Sequence, residues 1–441
     1  MHALALHAHA LNCTRKIQVL VVDRNSYYGG ESASLNLTNL HKKIRGAEPS
    51  PAFFAGLGGA KDRDFNIDLV PKFIMAHGNL IKILLHTKVT RYLDFKSIDG
   101  SFVVKSGKIN KVPATPKEAL ASSLMGMFEK RRFRNFLIYM NAYEPGNPST
   151  HGGYNLNVMT AQELYTAYGL DAYTQEFIGH TMALFTDDAY LRKPALGLIE
   201  ALQLYSLSLQ SYGNSPYIYP CYGLGGLPES FSRLAAIHGG TFMLNRSVDE
   251  VLFDADGCAW GIRGGDEVAK ATMFIGDPSY FPKSKTRMTG KVIRSICVLD
   301  HLPAGLGDAM SAQIIIPGPQ VGKASDIYVM CLTKQLEVCP GNVVVVIVST
   351  KVDNPAAADP MAEIGPGLAL LGTIKERFDT VSDTFAPVGS GEEDRCFISK
   401  SYDESSHFQS AAEDVLNLYE RVTGGPLDLS IEPKIPQPGD Y

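Results

Sequence analysis

The chain has 441 residues, 45% of them hydrophobic and 20% charged, with a formal charge of −5. A chain of that length buries a large core, either as two domains or as one domain with a big insertion. Its mild acidity supplies no electrostatic reason to expect nucleic acid or an anionic membrane as the main partner.

The first twelve residues lack a cationic leader and a sustained apolar stretch, so they make a poor signal peptide. Residues 17–23 form a compact β-branched run ending in Asp23, and a turn-rich stretch follows through Gly30. In a dinucleotide-binding fold a strand ending in an acid is the second strand, and its carboxylate binds ribose hydroxyls. A strand capped by a solvated turn accounts for the same residues. From about Thr115 the pattern turns helical. Thr115-Pro-Lys-Glu118 is a capping box with proline at the first helical position, and Leu120, Leu124, Met127 and Phe128 recur at helical spacing. Phe133, Phe136, Leu137 and Met140 carry an apolar stripe beyond Gly126. Thr160-Ala-Gln-Glu163 opens a short helix that Gly169 stops, Asp171 caps the next, and Pro194 starts another through Leu209. Helices without a strand signal predict an all-α insertion over residues 113–211.

Strand signals return after Tyr217. Residues 241–245, 251–253, 259–262 and 272–275 predict a small antiparallel meander. Residues 292–299, 313–316, 327–332 and 343–348 predict a second sheet; the last is the longest apolar run, too short to span a bilayer and suited to a buried strand. A helix over 410–422 should stop at Gly424, leaving 431–441 as a loose tail. The C-terminus carries no C-a-a-X box, so the chain is not expected to be prenylated. Seven cysteines without a C-x-x-C pair read as reduced thiols, placing the protein in the cytosol, where folded surface makes any membrane contact.

Common catalytic patterns are missing. The chain has no P-loop lysine motif, no G-x-S-x-G elbow and no H-E-x-x-H zinc pair, so neither an enzyme nor a metal site is expected. The basic run Lys130-Arg-Arg-Phe-Arg134 reads as the solvated face of its helix. A flavin site needs a strand, then G-x-G-x-x-G, then a helix facing the pyrophosphate. Only sixteen residues precede residue 17, and none is glycine. Gly56-Leu-Gly-Gly59 and Gly223-Leu-Gly-Gly226 both read as lacking a strand that leads into a helix. No cofactor is expected.

Several stretches carry a family likeness. They are Asp23-Arg-Asn-Ser-Tyr-Tyr-Gly-Gly-Glu-Ser32, Arg63-Asp-Phe-Asn-Ile-Asp-Leu-Val-Pro-Lys-Phe73, Val89-Thr-Arg-Tyr-Leu-Asp-Phe95, Ser123-Leu-Met-Gly-Met-Phe-Glu-Lys-Arg-Arg132, Ser215-Pro-Tyr-Ile-Tyr-Pro220, Gly239-Gly-Thr-Phe-Met-Leu-Asn245 and Ser401-Tyr-Asp403. In order and spacing they resemble the Rab GDP-dissociation inhibitor family, close to its plant-like members, over about residues 17–430. The resemblance implies an α/β, FAD-dependent-oxidoreductase-like fold that has lost its flavin. It implies a larger domain from 1–112 and 212–430 that binds GDP-bound Rab GTPases, and a helical domain over 113–211 that shelters their geranylgeranyl groups. By motif match the Rab platform includes Tyr28, Gly226, Arg233, Thr241 and Met243, with Arg233 equally suited to an internal salt bridge. Val89, Tyr92, Leu93 and Phe95 form the seat of the Rab C-terminus, a buried strand being the competing reading. Met127, Phe128, Phe133, Phe136 and Met140 are the isoprenoid candidates, and ordinary core packing explains each one too. The expected protein is a monomeric, cytoplasmic, non-catalytic carrier with transient membrane contact and no nucleic-acid partner.

Two departures from the family stand out. Members carry an acid where this chain has Gly226, which removes a charge-assisted contact worth on the order of 1–3 kcal/mol. Members also begin with a strand and glycine loop before the segment at Ile17, and the expectation here is a truncated or mis-started N-terminus. A Rab escort protein, a flavin-dependent oxidoreductase and a remnant that binds neither Rab nor lipid are the rival readings.

Overall fold

The computed structural model describes residues 18–430. Its largest element is a seven-stranded sheet formed, in spatial order, by Glu376–Pro387, Thr286–Leu299, Val344–Lys351, Ile327–Leu332, Ala312–Ile316, Gly100–Lys105 and Lys108–Lys111. The continuous apolar runs are buried on both faces because side chains alternate along a strand. Ile327, Val329, Cys331, Val344, Val346 and Val348 enter one core. Tyr328, Met330, Leu332, Val345 and Ile347 enter the other, with Phe73, Tyr217 and Tyr219. All four strands expected over 292–348 lie in this sheet.

The expected four-strand meander is not what forms. Three strands, Glu250–Phe253, Ala259–Gly264 and Glu267–Lys270, make an antiparallel sheet. Thr241–Met243 instead pairs in parallel with Leu20–Val22, and Phe274–Gly276 pairs in parallel with Cys396–Ile398. Parallel partners are brought together by tertiary packing rather than by a hairpin turn, so local spacing carries no sign of them.

Between Lys111 and Tyr217 every described helix or strand is helical. Thr115 and Asp171 cap their helices through the side chain, and Thr160 with Glu163 closes a complete capping box. The apolar stripe through Leu120 and Phe128 belongs to two helices, not one. Pro116–Ala121 ends before Ser122, and Met127–Ala142 starts after Gly126, which adopts extended backbone. Phe136 and Met140 fill the helical core with Tyr165, Leu198 and Leu202.

Polar contacts fasten these helices to the sheet. His180, fully buried, lies in a π-helical segment, Phe177–Met182, and bonds Asp326 Oδ2 at 2.8 Å and Asp188 Oδ1 at 3.0 Å. Lys105 Nζ donates to the Leu124 carbonyl at 2.6 Å and sits 3.8 Å from the centroid of the Tyr173 ring. No described helix is long and apolar enough to cross a membrane.

Candidate functional site: an interlocked binding platform

Asp68 is buried and organises the loop before the Gly226–Ile237 helix. Its carboxylate accepts hydrogen bonds from the Leu224 N–H at 2.9 and 3.1 Å, and from the hydroxyls of Ser34 and Tyr219. Burial pushes its pKa up to about 7, against the pull of those bonds. Ser34 Oγ accepts the Gly225 N–H at 2.7 Å. The approach is too close for any side chain: a Cβ on Gly223 would lie 2.5 Å from Ser34 Oγ, and one on Gly225 would lie 2.7 Å from the Ser34 nitrogen. The reading of this glycine loop therefore needs correction. It does join a strand, Tyr217–Pro220, to a helix, but its glycines admit Ser34 and Asp68.

The helix that follows carries Gly226 at its first position and Arg233 two turns on. A Cβ at Gly226 would meet Leu93 Cδ2 at 3.0 Å. The Arg233 guanidinium lies 4.9 Å from the Tyr92 ring centroid, and no ion pair of Arg233 forms among the described residues. Val89 is buried in a short 3-10 turn, Val89–Tyr92, while Tyr92 is exposed and Leu93 and Phe95 are half-buried against the core. The segment is thus a turn leading into the Phe95–Ser97 strand rather than one strand. On the other side of the helix, Ala235 packs with Val21 and Phe242. Tyr28 meets Phe242 edge to face, centroids 6.0 Å apart, beside exposed Thr241 and half-buried Met243. The turn holding Tyr28 rests on the start of the same helix, since a Cβ on Gly29 would strike Pro228 Cγ at 2.8 Å. All five residues expected on the platform accordingly sit on or beside one helix.

Two further long-range contacts tie motif stretches together. Lys72, fully buried, donates to Asp403 Oδ1 at 2.5 Å, to the Ser405 carbonyl at 2.7 Å and to Ser405 Oγ at 3.0 Å. Burial alone would raise the Asp403 pKa, but the Lys72 ammonium overrides it and holds the carboxyl well below the usual range. The hydroxyls of Ser32 and Tyr402 are 2.6 Å apart. Asp68, Lys72, Ser32 and Asp403 all lie within the motif stretches, but reading those stretches gave no sign of this bonding.

The isoprenoid candidates do not converge on one groove. Phe136 and Met140 are core, Phe133 is half-buried edge-on to Phe177, and Met127 and Phe128 stand in solvent.

The family profile for GDP dissociation inhibitor matches residues 9–434. The chain belongs to that family. A probable secretory pathway GDP dissociation inhibitor of Schizosaccharomyces pombe is 48% identical, covering 95% of this chain and 93% of its own. The Saccharomyces cerevisiae Rab GDP-dissociation inhibitor is 46% identical, over 93% of this chain and 91% of its own. A crystal structure of Plasmodium falciparum Rab GDI superposes with a TM-score of 0.88 at 39% identity, covering 96% of both chains. An oxidoreductase of Methanosarcina mazei, TM-score 0.59 at 13% identity over 95% of this chain and 97% of its own, shares the fold alone.

That fold raises the question of a dinucleotide, and at the strand end where its ribose would sit, Asp23 and Arg24 of this GDP dissociation inhibitor family member make contacts within the chain. The Asp23 carboxylate already accepts the Asn25 N–H and side-chain amide, both at 2.8 Å. Arg24 stacks 3.9 Å from the Tyr280 ring centroid and donates to Ser279 Oγ at 3.0 Å. The Leu224 and Gly225 amides are spent on Asp68 and Ser34.

Proposed function

We propose that this protein is a Rab GDP-dissociation inhibitor: it binds GDP-bound, geranylgeranylated Rab GTPases, slows GDP release, extracts them from membranes and returns them to vesicle transport. It acts as a monomeric cytoplasmic carrier that touches membranes transiently and catalyses nothing. The observation that carries this reading is the single helix that gathers Tyr28, Gly226, Arg233, Thr241 and Met243, in a chain 46% identical to a Rab GDP-dissociation inhibitor. Tyrosine and arginine are common anchors of binding surfaces. Tyr92 and Arg233, in contact, join the platform to the half-buried Leu93 and Phe95, so a GTPase and its C-terminal linker meet one continuous face.

Extraction also requires apolar burial for the lipid. A geranylgeranyl chain gains on the order of 10 kcal/mol from membrane insertion, and a carrier has to match most of it. The 113–211 helices are the domain we assign to that task, the rest of the chain forming the platform domain. Because Phe136 and Met140 are packed, the lipid enters by parting the Met127–Ala142 helix from its neighbours, with half-buried Phe133 and buried Phe177 on the way in.

The test is extraction from liposomes of doubly prenylated Rab loaded with GDP, with the GTP-loaded form as control. Selective release of the GDP form into the supernatant supports the function. Equal release of both forms, or none, rejects it.

A further inference from the structure

The corner between the Pro116–Ala121 and Met127–Ala142 helices leaves three large apolar side chains in water: Leu120 is 74% exposed, Met127 80% and Phe128 82%. They share one corner because Lys130 Nζ reaches back to the Leu120 carbonyl at 2.6 Å and ties the two helices together. Charge around them is one-sided. Between residues 116 and 138 stand five cations, Lys117, Lys130, Arg131, Arg132 and Arg134, and two acids, Glu118 and Glu129, in a chain whose overall charge is −5. Both acids are already paired. Glu118 binds Lys111 at 2.7 Å; Glu129 is buried, bonding Arg132 at 3.1 Å and the Asp171 N–H at 2.9 Å. The outward stripe of the second helix therefore reads Met127, Arg131, Arg134, Ile138, two cations flanked by apolar residues at helical spacing, with Ile138 half exposed.

We infer that this corner docks the protein on an anionic phospholipid surface, Leu120, Met127 and Phe128 entering the acyl boundary while the cations meet lipid headgroups. The charge complementarity points to this occupant, and the protruding shape suits a broad apolar layer rather than a small ligand, which needs a concave site. The inference rests on the proposed function only in that a carrier must reach a membrane.

The test uses the full chain without Rab, co-sedimented with vesicles of phosphatidylcholine alone or with added phosphatidylserine. Binding should require phosphatidylserine, fall as salt rises, vanish for Phe128→Asp combined with Met127→Asp, and weaken about five-fold for each cation removed in Arg131→Ala and Arg134→Ala. The exposed positions leave folding intact, which circular dichroism checks. The inference is overturned if the wild-type chain ignores phosphatidylserine vesicles or if the variants bind like wild type. It is equally overturned if the Phe128 and Met127 variant loses its complex with prenylated Rab in vesicle-free solution, which would make the corner an isoprenoid seat. A wild-type chain that binds vesicles but forms no complex with Rab would instead sink the carrier reading and leave this one standing.

Discussion

Replacing Asp68 with asparagine tests the centre of the platform. Asparagine keeps the shape and one acceptor oxygen but cannot titrate. In the folded chain burial pushes the Asp68 pKa up to about 7, from 3.8 for an unburied aspartate. Between those two values the folded chain keeps a proton that the unfolded chain has released, so this residue's contribution to stability falls as pH rises through the window and is flat above it. Integrated from pH 5 to pH 8, the change is about 2.5 kcal/mol. Other groups titrate alike in both proteins and cancel in the comparison. The single tryptophan, Trp260, lies in a strand of the platform half and reports urea unfolding there. Wild type should gain about 2.5 kcal/mol over Asp68→Asn on going from pH 8 to pH 5. A difference between the two proteins that stays constant to within about 0.5 kcal/mol refutes the reasoning.

Lys72→Met leaves Asp403 without its buried partner and should cost about 3–5 kcal/mol in the same unfolding assay; a loss below about 1 kcal/mol means the pair contributes little. His180→Gln removes the cation held between Asp188 and Asp326 and should loosen the helical insertion, read as faster amide exchange across residues 177–182. Burial lowers the His180 pKa, but the two carboxylates raise it further, to about 10. Its stabilisation is thus complete below pH 6.5 and lost as pH rises through about 10, so protection, taken relative to the intrinsic base-catalysed exchange rate, that stays constant across that range argues against the latch. Gly226→Glu restores an acid at a helix start, at the expense of a small shift of Leu93, and should tighten Rab binding by about 1–3 kcal/mol in a GDP-release assay; unchanged or weaker binding removes Gly226 from the platform.

What the sequence disclosed depended on how local the physics was. Thr115, Thr160 and Asp171 act on amides three residues away, and each was legible as a cap. The valine-rich strands declared themselves by composition. Strand Glu376–Pro387 did not, because an edge strand with one wet face carries Glu376, Arg377, Asp379 and Asp383 among its apolar residues. The apolar spacing from Leu120 to Phe128 survived a break at residues 122–126, since periodicity does not register a change of axis. Motif likeness singled out Tyr28, Gly226, Arg233, Thr241 and Met243, which the fold brings on or beside one helix. It gave no role to Asp68, whose partners Tyr219 and Leu224 lie 151 and 156 positions away.

Those long reaches bear on how the protein comes into being. Ser32 meets Tyr402 across 370 residues, and Lys72 meets Asp403 across 331. Contacts of such separation pay loop-closure entropy before they return anything, and they cannot form on a ribosome until the far partner has emerged. The Ser32–Tyr402 and Lys72–Asp403 bonds therefore close only after the chain has been made as far as Asp403, well after the helices over 113–211 have emerged.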